Sequence, residues 1–284
     1  MSISLYSINF NGLTLDVSTG FTVQVQDGAA GVPTRVSKNN LTGQDGGVIN
    51  AVLKGMRVLT FEGTITGADA TEFFARRRTL INAFNTSAGR QTLTLTTWDG
   101  LTYTIDAFCT GEPDIKDVSG DVTQTRYQVI LECPNPLFNV SGSAVVETAT
   151  PVLGSKGFTI PFTIPFPIGN QETGSTITIV NSGDTAVIPT FKLDGLLDNP
   201  KVANLTTSES FTIATSITNG RYVDLYIDNG DKFVLLDGVT PYYQYFAGDL
   251  FTIQPGANII KLTAESSDVD GLLTITYSDK RNGL

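Results

Sequence analysis

Four groups of residues in this 284-residue chain have the types that chemistry needs. Asp228-Asn-Gly-Asp231 resembles part of a calcium loop, but such a loop requires oxygen ligands at alternate positions and a late Glu. Tyr226 and Leu235 occupy the matching places, so Asn229-Gly230 reads better as a type I′ hairpin turn. The thiols Cys109 and Cys133 fall on consecutive expected strands, 101–110 and 124–133. A hairpin turning near Ser119 would set Cys109 opposite about Tyr127, several residues from Cys133, which argues against a disulfide and for assembly in a reducing compartment. The 28 Asp and Glu residues supply acids for the paired-carboxylate scheme of glycoside hydrolysis, but no pair has a defined separation. Most occupy turns, where Asp is favoured conformationally. Finally, Pro241-Tyr-Tyr-Gln-Tyr-Phe246 offers Tyr242, Tyr243 and Tyr245 as a sugar-stacking platform. Alternation would instead bury Tyr243 and Tyr245 together as strand-edge core, the reading the pattern favours.

The chain has no histidine. That removes the commonest general base and metal ligand, and with them the Ser-His-Asp and Cys-His schemes. Two cysteines are too few for a cysteine zinc site, and no Walker loop, G-x-S-x-G or G-x-G-x-x-G occurs. The expectation is a non-enzymatic protein without cofactor or metal. Net charge is −10; residues 1–140 hold 10 basic and 13 acidic side chains, and the remainder 8 and 15. An acidic surface disfavours gripping a phosphate backbone, although DNA could slide past it without sticking. The first residues have neither a basic segment nor a long apolar run, and nothing approaches the roughly 20 apolar residues of a membrane helix. A soluble chain without membrane insertion is expected.

The elements that must position these residues are mostly strands. Alternation marks strands from Ile3 to Val25, at Met56–Ile65, at Gln91–Thr97, and at the two cysteine-bearing segments. One helix interrupts them, over 69–88. Asp69 with Glu72 reads as a capping box and Gly89 as the stop. Phe73, Leu80 and Phe84 cluster with Ala70, Phe74 and Ile81 in an arc of about 120°. Arg77 falls at the centre of that stripe, so it must reach solvent or meet an acid on the sheet beneath, with Glu62 or Asp106 as candidates. Arg76 and Arg78 flank the arc as solvated or interface charges. Residues 27–50 break the strand pattern with a polar, glycine-rich excursion. It is either a plain loop or an arm that touches a partner through Arg35, Lys38, Asn39, Asn40 and Gln44. Pro134 to about Gly157 reads as a linker region. From Phe158 short strands, the first at 158–164, recur with turn signals such as Ser-Gly-Asp and Pro-Gly-Ala-Asn, the pattern of a sandwich or jelly roll.

Several runs together resemble the siphophage distal tail proteins. They are Met56-Arg-Val-Leu-Thr-Phe-Glu-Gly-Thr-Ile-Thr-Gly67, Phe74 with Arg77-Arg-Thr-Leu80, Gly89-Arg-Gln-Thr-Leu93, and the exit Cys133-Pro-Asn-Pro-Leu-Phe138. Ile179-Val-Asn-Ser-Gly-Asp184, Pro189-Thr-Phe191, Asp198-Asn-Pro200, Asn204-Leu-Thr-Thr207 and Pro255-Gly-Ala-Asn-Ile259 resemble that family's C-terminal domain. The resemblance implies a mainly β chain: a β-sandwich or barrel-like tail domain with one helix at 1–139, a linker at 140–157, and a galectin-like jelly-roll sandwich at 158–284. It also implies a homohexameric ring at the virion tail tip, assembled in the host cytoplasm. Such a ring joins the tail tube protein to the tail hub protein around a DNA channel and carries receptor-binding or other baseplate proteins. There is no inserted sugar-binding domain of the kind some members carry. A tail-tube subunit with a decoration domain, a carbohydrate-binding module and a glycoside hydrolase are the rival readings.

Overall fold

The structure, a computed structural model, describes residues 5–40, 42–43, 45–117, 123–149, 173–228, 230–267 and 271–284. It forms two compact units, Met1–Gly142 with Lys280–Leu284, and Ser143–Asp279. The expected strand at 158–164 and linker residues 150–157 lie outside the described residues, whereas the rest of the expected linker, 140–149, is not a linker but part of a strand, Phe138–Ala149.

In the first unit β1 (Leu5–Phe10) and β2 (Leu13–Leu15) form a hairpin across Asn11-Gly12. Both turn residues have positive φ, 48° and 80°, the backbone state that Asn-Gly adopts at little cost. Next come β3 (Phe21–Asp27), β4 (Thr34–Asn40), β5 (Gly47–Lys54), β6 (Arg57–Thr66) and the helix α1 (Ala70–Ala83). The unit continues with β7 (Arg90–Thr97), β8 (Thr102–Cys109), β9 (Asp114–Asp117) and β10 (Gln124–Cys133), and β11 (Phe138–Ala149) leads out of it. The antiparallel path runs β2-β1-β7-β8-β10-β6-β3, with β9 on β10 and β11 on β8. Period-two alternation buries Leu59, Phe61 and Ile65 of β6, Ile105 and Ala107 of β8, and Val129 and Leu131 of β10.

Helix α1 covers this core with Phe73, Leu80, Ala83 and Phe84. Burying three such large side chains is worth about 1.5–3 kcal/mol each, against about 1 kcal/mol for the cap, so packing holds the helix. Its start forms half of the expected box: Asp69 Oδ1 accepts from the Glu72 N–H at 2.8 Å, while the Glu72 carboxylate accepts from the Ala68 N–H at 2.7 Å and not from Asp69. Its end comes earlier than Gly89. The Asn11 side chain donates to Ala83 O at 3.1 Å, Phe84 stacks on Phe10 at 5.0 Å, and Asn85 caps a separate 3-10 turn, Thr86–Ala88. The apolar stripe is also narrower than expected, because Phe74 and Ile81 are 46% and 37% exposed.

Both cysteines are buried free thiols. Cys109 stands opposite Leu131, not about Tyr127. Tyr127 is taken by Ile115 of β9, an extra strand within the connection that a simple hairpin omits.

The second unit contains β12 (Thr173–Asn181), β13 (Thr190–Asp194), β14 (Leu197–Asp198), β15 (Lys201–Asn204), β16 (Glu209–Ile213) and β17 (Tyr222–Asp228). There follow β18 (Asp231–Leu236), β19 (Thr240–Pro241), β20 (Phe246–Gly248), β21 (Gly256–Ala264), β22 (Ser266–Ser267) and β23 (Leu272–Arg281). Two antiparallel sheets, β12-β21-β15-β16-β20 and β19-β18-β17-β13-β23, enclose one core. Phe191 of one sheet meets Phe211 of the other at 5.0 Å, and Phe251 meets Phe191 at the same distance. This is a β-sandwich.

Strand β23 returns the chain to the first unit, where residues 280–284 pack. Arg57, fully buried, holds them there. Its Nε donates to Pro136 O at 2.7 Å, Nη2 to Asn282 O at 2.5 Å and Nη1 to Gly28 O, and its guanidinium lies 4.5 Å from the Phe138 ring centre. Burial pulls its pKa below the ordinary arginine value. The Leu284 N–H closes the contact by donating to Ala29 O at 3.1 Å.

Candidate assembly surfaces

The excursion at 27–50 is largely a β-hairpin, β4 paired with β5 in a two-stranded sheet of its own. Arg35, Lys38, Asn39 and Asn40 all lie on β4 and are exposed; Gln44 lies outside the described residues. The sequence concealed the strands because β4 is polar apart from Val36 and β5 is apolar on both faces. Val36 faces Val52 and Lys38 faces Ile49 across a bulge, while Arg35 faces Leu53. Ile49 and Val52 are 65% and 62% exposed, and Val36, Val48 and Leu53 are about half exposed. The base is fixed by the Gly55 N–H to Pro33 O at 2.7 Å and by Lys54 Nζ to the Asn282 side chain at 2.9 Å. An apolar strand with open faces and edges is a pairing surface.

The helix arginines separate into different roles. Arg76 is committed to its own chain, donating to Glu72 Oε1 at 2.8 Å and to Thr66 O. It lies over Gly20, where a Cβ would overlap its guanidinium. Arg78 is exposed beside Phe74 and Ile81, and Arg77 is half-buried. The acids expected beneath Arg77 are held elsewhere. Glu62 accepts from Gln128 at 2.6 Å; Asp106 accepts from Thr92 at 3.2 Å and lies 3.9 Å from Arg90. Parity is the reason: on β6 and β8 the odd-numbered residues face the core that the helix covers, and both acids are even.

A second apolar surface had no place in the sequence reading. An open groove of about 390 Å³ is lined by Leu15, Val17, Val23 and Trp98 with Asp16, Ser18 and Thr22. Val17 is 79% exposed and Trp98, the chain's single tryptophan, 68%. Each is set by a turn. Asp16 caps the 3-10 turn Val17–Thr19 by accepting from the Thr19 N–H at 3.0 Å. The β7–β8 turn is shaped by Asp99, which accepts from the Leu101 N–H at 3.2 Å, and by Gly100 at φ 84°. Hydrogen bonds, first those from Ser18 and Thr97 respectively, hold both carboxyls below their ordinary pKa. The only sequence signal was a bulky apolar side chain at a turn, where polar residues are the rule.

In the second unit the tyrosines do not alternate. Tyr243–Tyr245 is a 3-10 turn, so Tyr242 and Tyr245 pack on the core, 4.6 Å apart, while Tyr243 is 44% exposed. The three rings do not form one platform. Asp228 pairs with Asp231 across a two-residue connection in which Gly230 has φ 91°; Asn229 lies outside the described residues. Among the described residues no cluster of three His, Cys, Asp or Glu could hold a metal, and no helix is long and apolar enough to cross a membrane.

No protein-family model matches the chain, and no curated protein matches it in sequence. Solved structures do. Two structures of the phage p2 baseplate in its activated conformation, with Sr and with Ca, match at 13% identity and TM-scores of 0.49 and 0.46, covering 99% of both chains in each case. The crystal structure of the Dit protein of phage SPP1 matches at 14% identity and a TM-score of 0.67, covering 98% of this chain and 99% of that one. Through both of its units, this chain has the fold of the SPP1 Dit protein.

Proposed function

We propose that the chain is a structural subunit of a phage tail tip, a distal tail protein that closes into a homohexameric ring. The observation that carries this reading is the full-length match to a protein described as a paradigm of the hub adsorption apparatus in phages infecting Gram-positive bacteria. In this reading the first unit builds the ring around a DNA channel, between the tail tube protein and the tail hub protein. The second unit carries receptor-binding or other baseplate proteins. Residues 1–140 hold 10 basic and 13 acidic side chains, a small acidic excess that suits a channel wall DNA must pass without sticking.

The exposed hairpin supports assembly and also bounds its strength. Burying the remaining exposed half of Val36, Val48, Ile49, Val52 and Leu53 is worth roughly 5 kcal/mol in total, at about 2 kcal/mol for a whole side chain. Association costs about 4–15 kcal/mol, so one hairpin contact alone is weak and ring closure must add to it. The test is solution mass of the purified chain across concentration, followed by negative-stain imaging with and without the tail tube and hub proteins. Six-fold rings with an open centre are expected. A strict monomer under all of these conditions would overturn the reading.

A further inference from the structure

The hairpin and the groove of the first unit match each other in chemistry. Strands β4 and β5 carry Arg35, Lys38 and Lys54 and no acid, with Asp45 confined to the connection between them. The groove lining contains Asp16 and no base, and Asp99 follows Trp98 in the adjoining turn. Both surfaces are apolar at the centre: Val36, Ile49 and Val52 on the hairpin, Val17 and Trp98 in the groove, with Leu101 48% exposed beyond it. A basic, apolar strand pair on an acidic chain has its natural complement in an acidic, apolar recess of another copy. The two surfaces belong to different elements, so their contact is head-to-tail, the type that generates rings when the rotation closes.

We propose that the β4–β5 hairpin of one copy docks in the Val17–Trp98 groove of the next copy of this chain. This rests on the ring reading above and names the surface that receives the arm. Lys38, on the same face of the hairpin as Val36, Ile49 and Val52, approaches Asp16 and Asp99 at the rim, while those three apolar side chains cover Val17 and Trp98.

The test uses two full-length single variants with different affinity tags, Val17→Cys and Val52→Cys, and a short bismaleimide. The native thiols are buried and stay out of the reaction. A covalent dimer carrying both tags is expected when the variants are mixed, with no dimer from either variant alone. The double variant should give a ladder of multimers. Absence of the mixed dimer up to the highest soluble concentration, or a dimer formed by Val17→Cys alone, overturns the docking. Six-fold rings in images of the same unlinked sample would leave the ring standing and remove only this contact. Absence of both link and ring would remove the two together.

Discussion

Replacing Arg57 with Met should loosen the first unit and leave the second untouched. Methionine fills similar space without donors. The carbonyls of Gly28, Pro136 and Asn282, on half-buried residues around the fully buried Arg57 side chain, would then lose this donor. An orphaned buried acceptor costs about 1–3 kcal/mol, so three cost roughly 3–9 kcal/mol before relaxation. Two effects oppose each other beyond that. Removing the cation relieves the desolvation that lowers its pKa, a few kcal/mol, while losing its contact with Phe138 costs about 1 kcal/mol. The net expectation is a loss of about 3 kcal/mol. With a urea dependence of about 2 kcal/mol per molar, the first unit's midpoint falls by about 1.5 M. Circular dichroism resolves this as one of two transitions moving. Hydrogen exchange gives a local reading: the Leu284 amide, bonded to Ala29 O, should exchange about 100-fold faster. A midpoint shift below about 0.3 M, or equal shifts of both transitions, would refute the clamp.

Gly63→Ala should destabilise the first unit by about 1–3 kcal/mol or more, seen in the same urea titration, because the added Cβ would overlap Thr22 O and stand 2.9 Å from the Tyr127 hydroxyl. Burial pushes the Cys133 thiol up to about 12 from an ordinary 9.0, with nearby Arg57 pulling the other way. The folded state keeps a proton that the unfolded chain sheds, so this contribution is intact below pH 9 and is lost towards pH 12, by at most about 1.4 kcal/mol per pH unit. Cys133→Ala should flatten that alkaline decline in thermal melts; an unchanged slope would show that Cys133 does not cause it. Val36→Asp with Ile49→Asp should leave the circular dichroism of the chain unchanged, as both side chains are exposed and the second aspartate would face Lys38, and should abolish any concentration-dependent blue shift of Trp98 emission. Normal rings from that double variant would remove the hairpin from assembly.

Local chemistry was legible in the sequence where one contact decides the structure. Asp69 and Glu72 mark the helix start because a single short hydrogen bond makes the cap. The helix end was not legible, since it depends on Asn11 and Phe10, more than 70 positions away. The Cys109 register failed for a related reason, as β9 competes for the same partner strand. Composition located the 27–50 excursion as unusual but hid its strands, because neither β4 nor β5 alternates in burial. The acids assigned to Arg77 failed on strand parity, which could have been read from the alternation itself. Arg57 gave no signal: its three partners are main-chain carbonyls, which any residue supplies.

The double passage of the chain between its units has a mechanical consequence. β11 carries it out and β23 carries it back, with the returning end anchored at Arg57. A pull on the second unit is therefore shared by two covalent paths, and severing either one leaves the other as a tether. Cutting the chain after Gly142 would not isolate the first unit intact, because Asn282 and Leu284 would leave with the fragment. Dissection needs a short graft joining residue 142 to residue 280, so that the clamp keeps all three of its carbonyl partners.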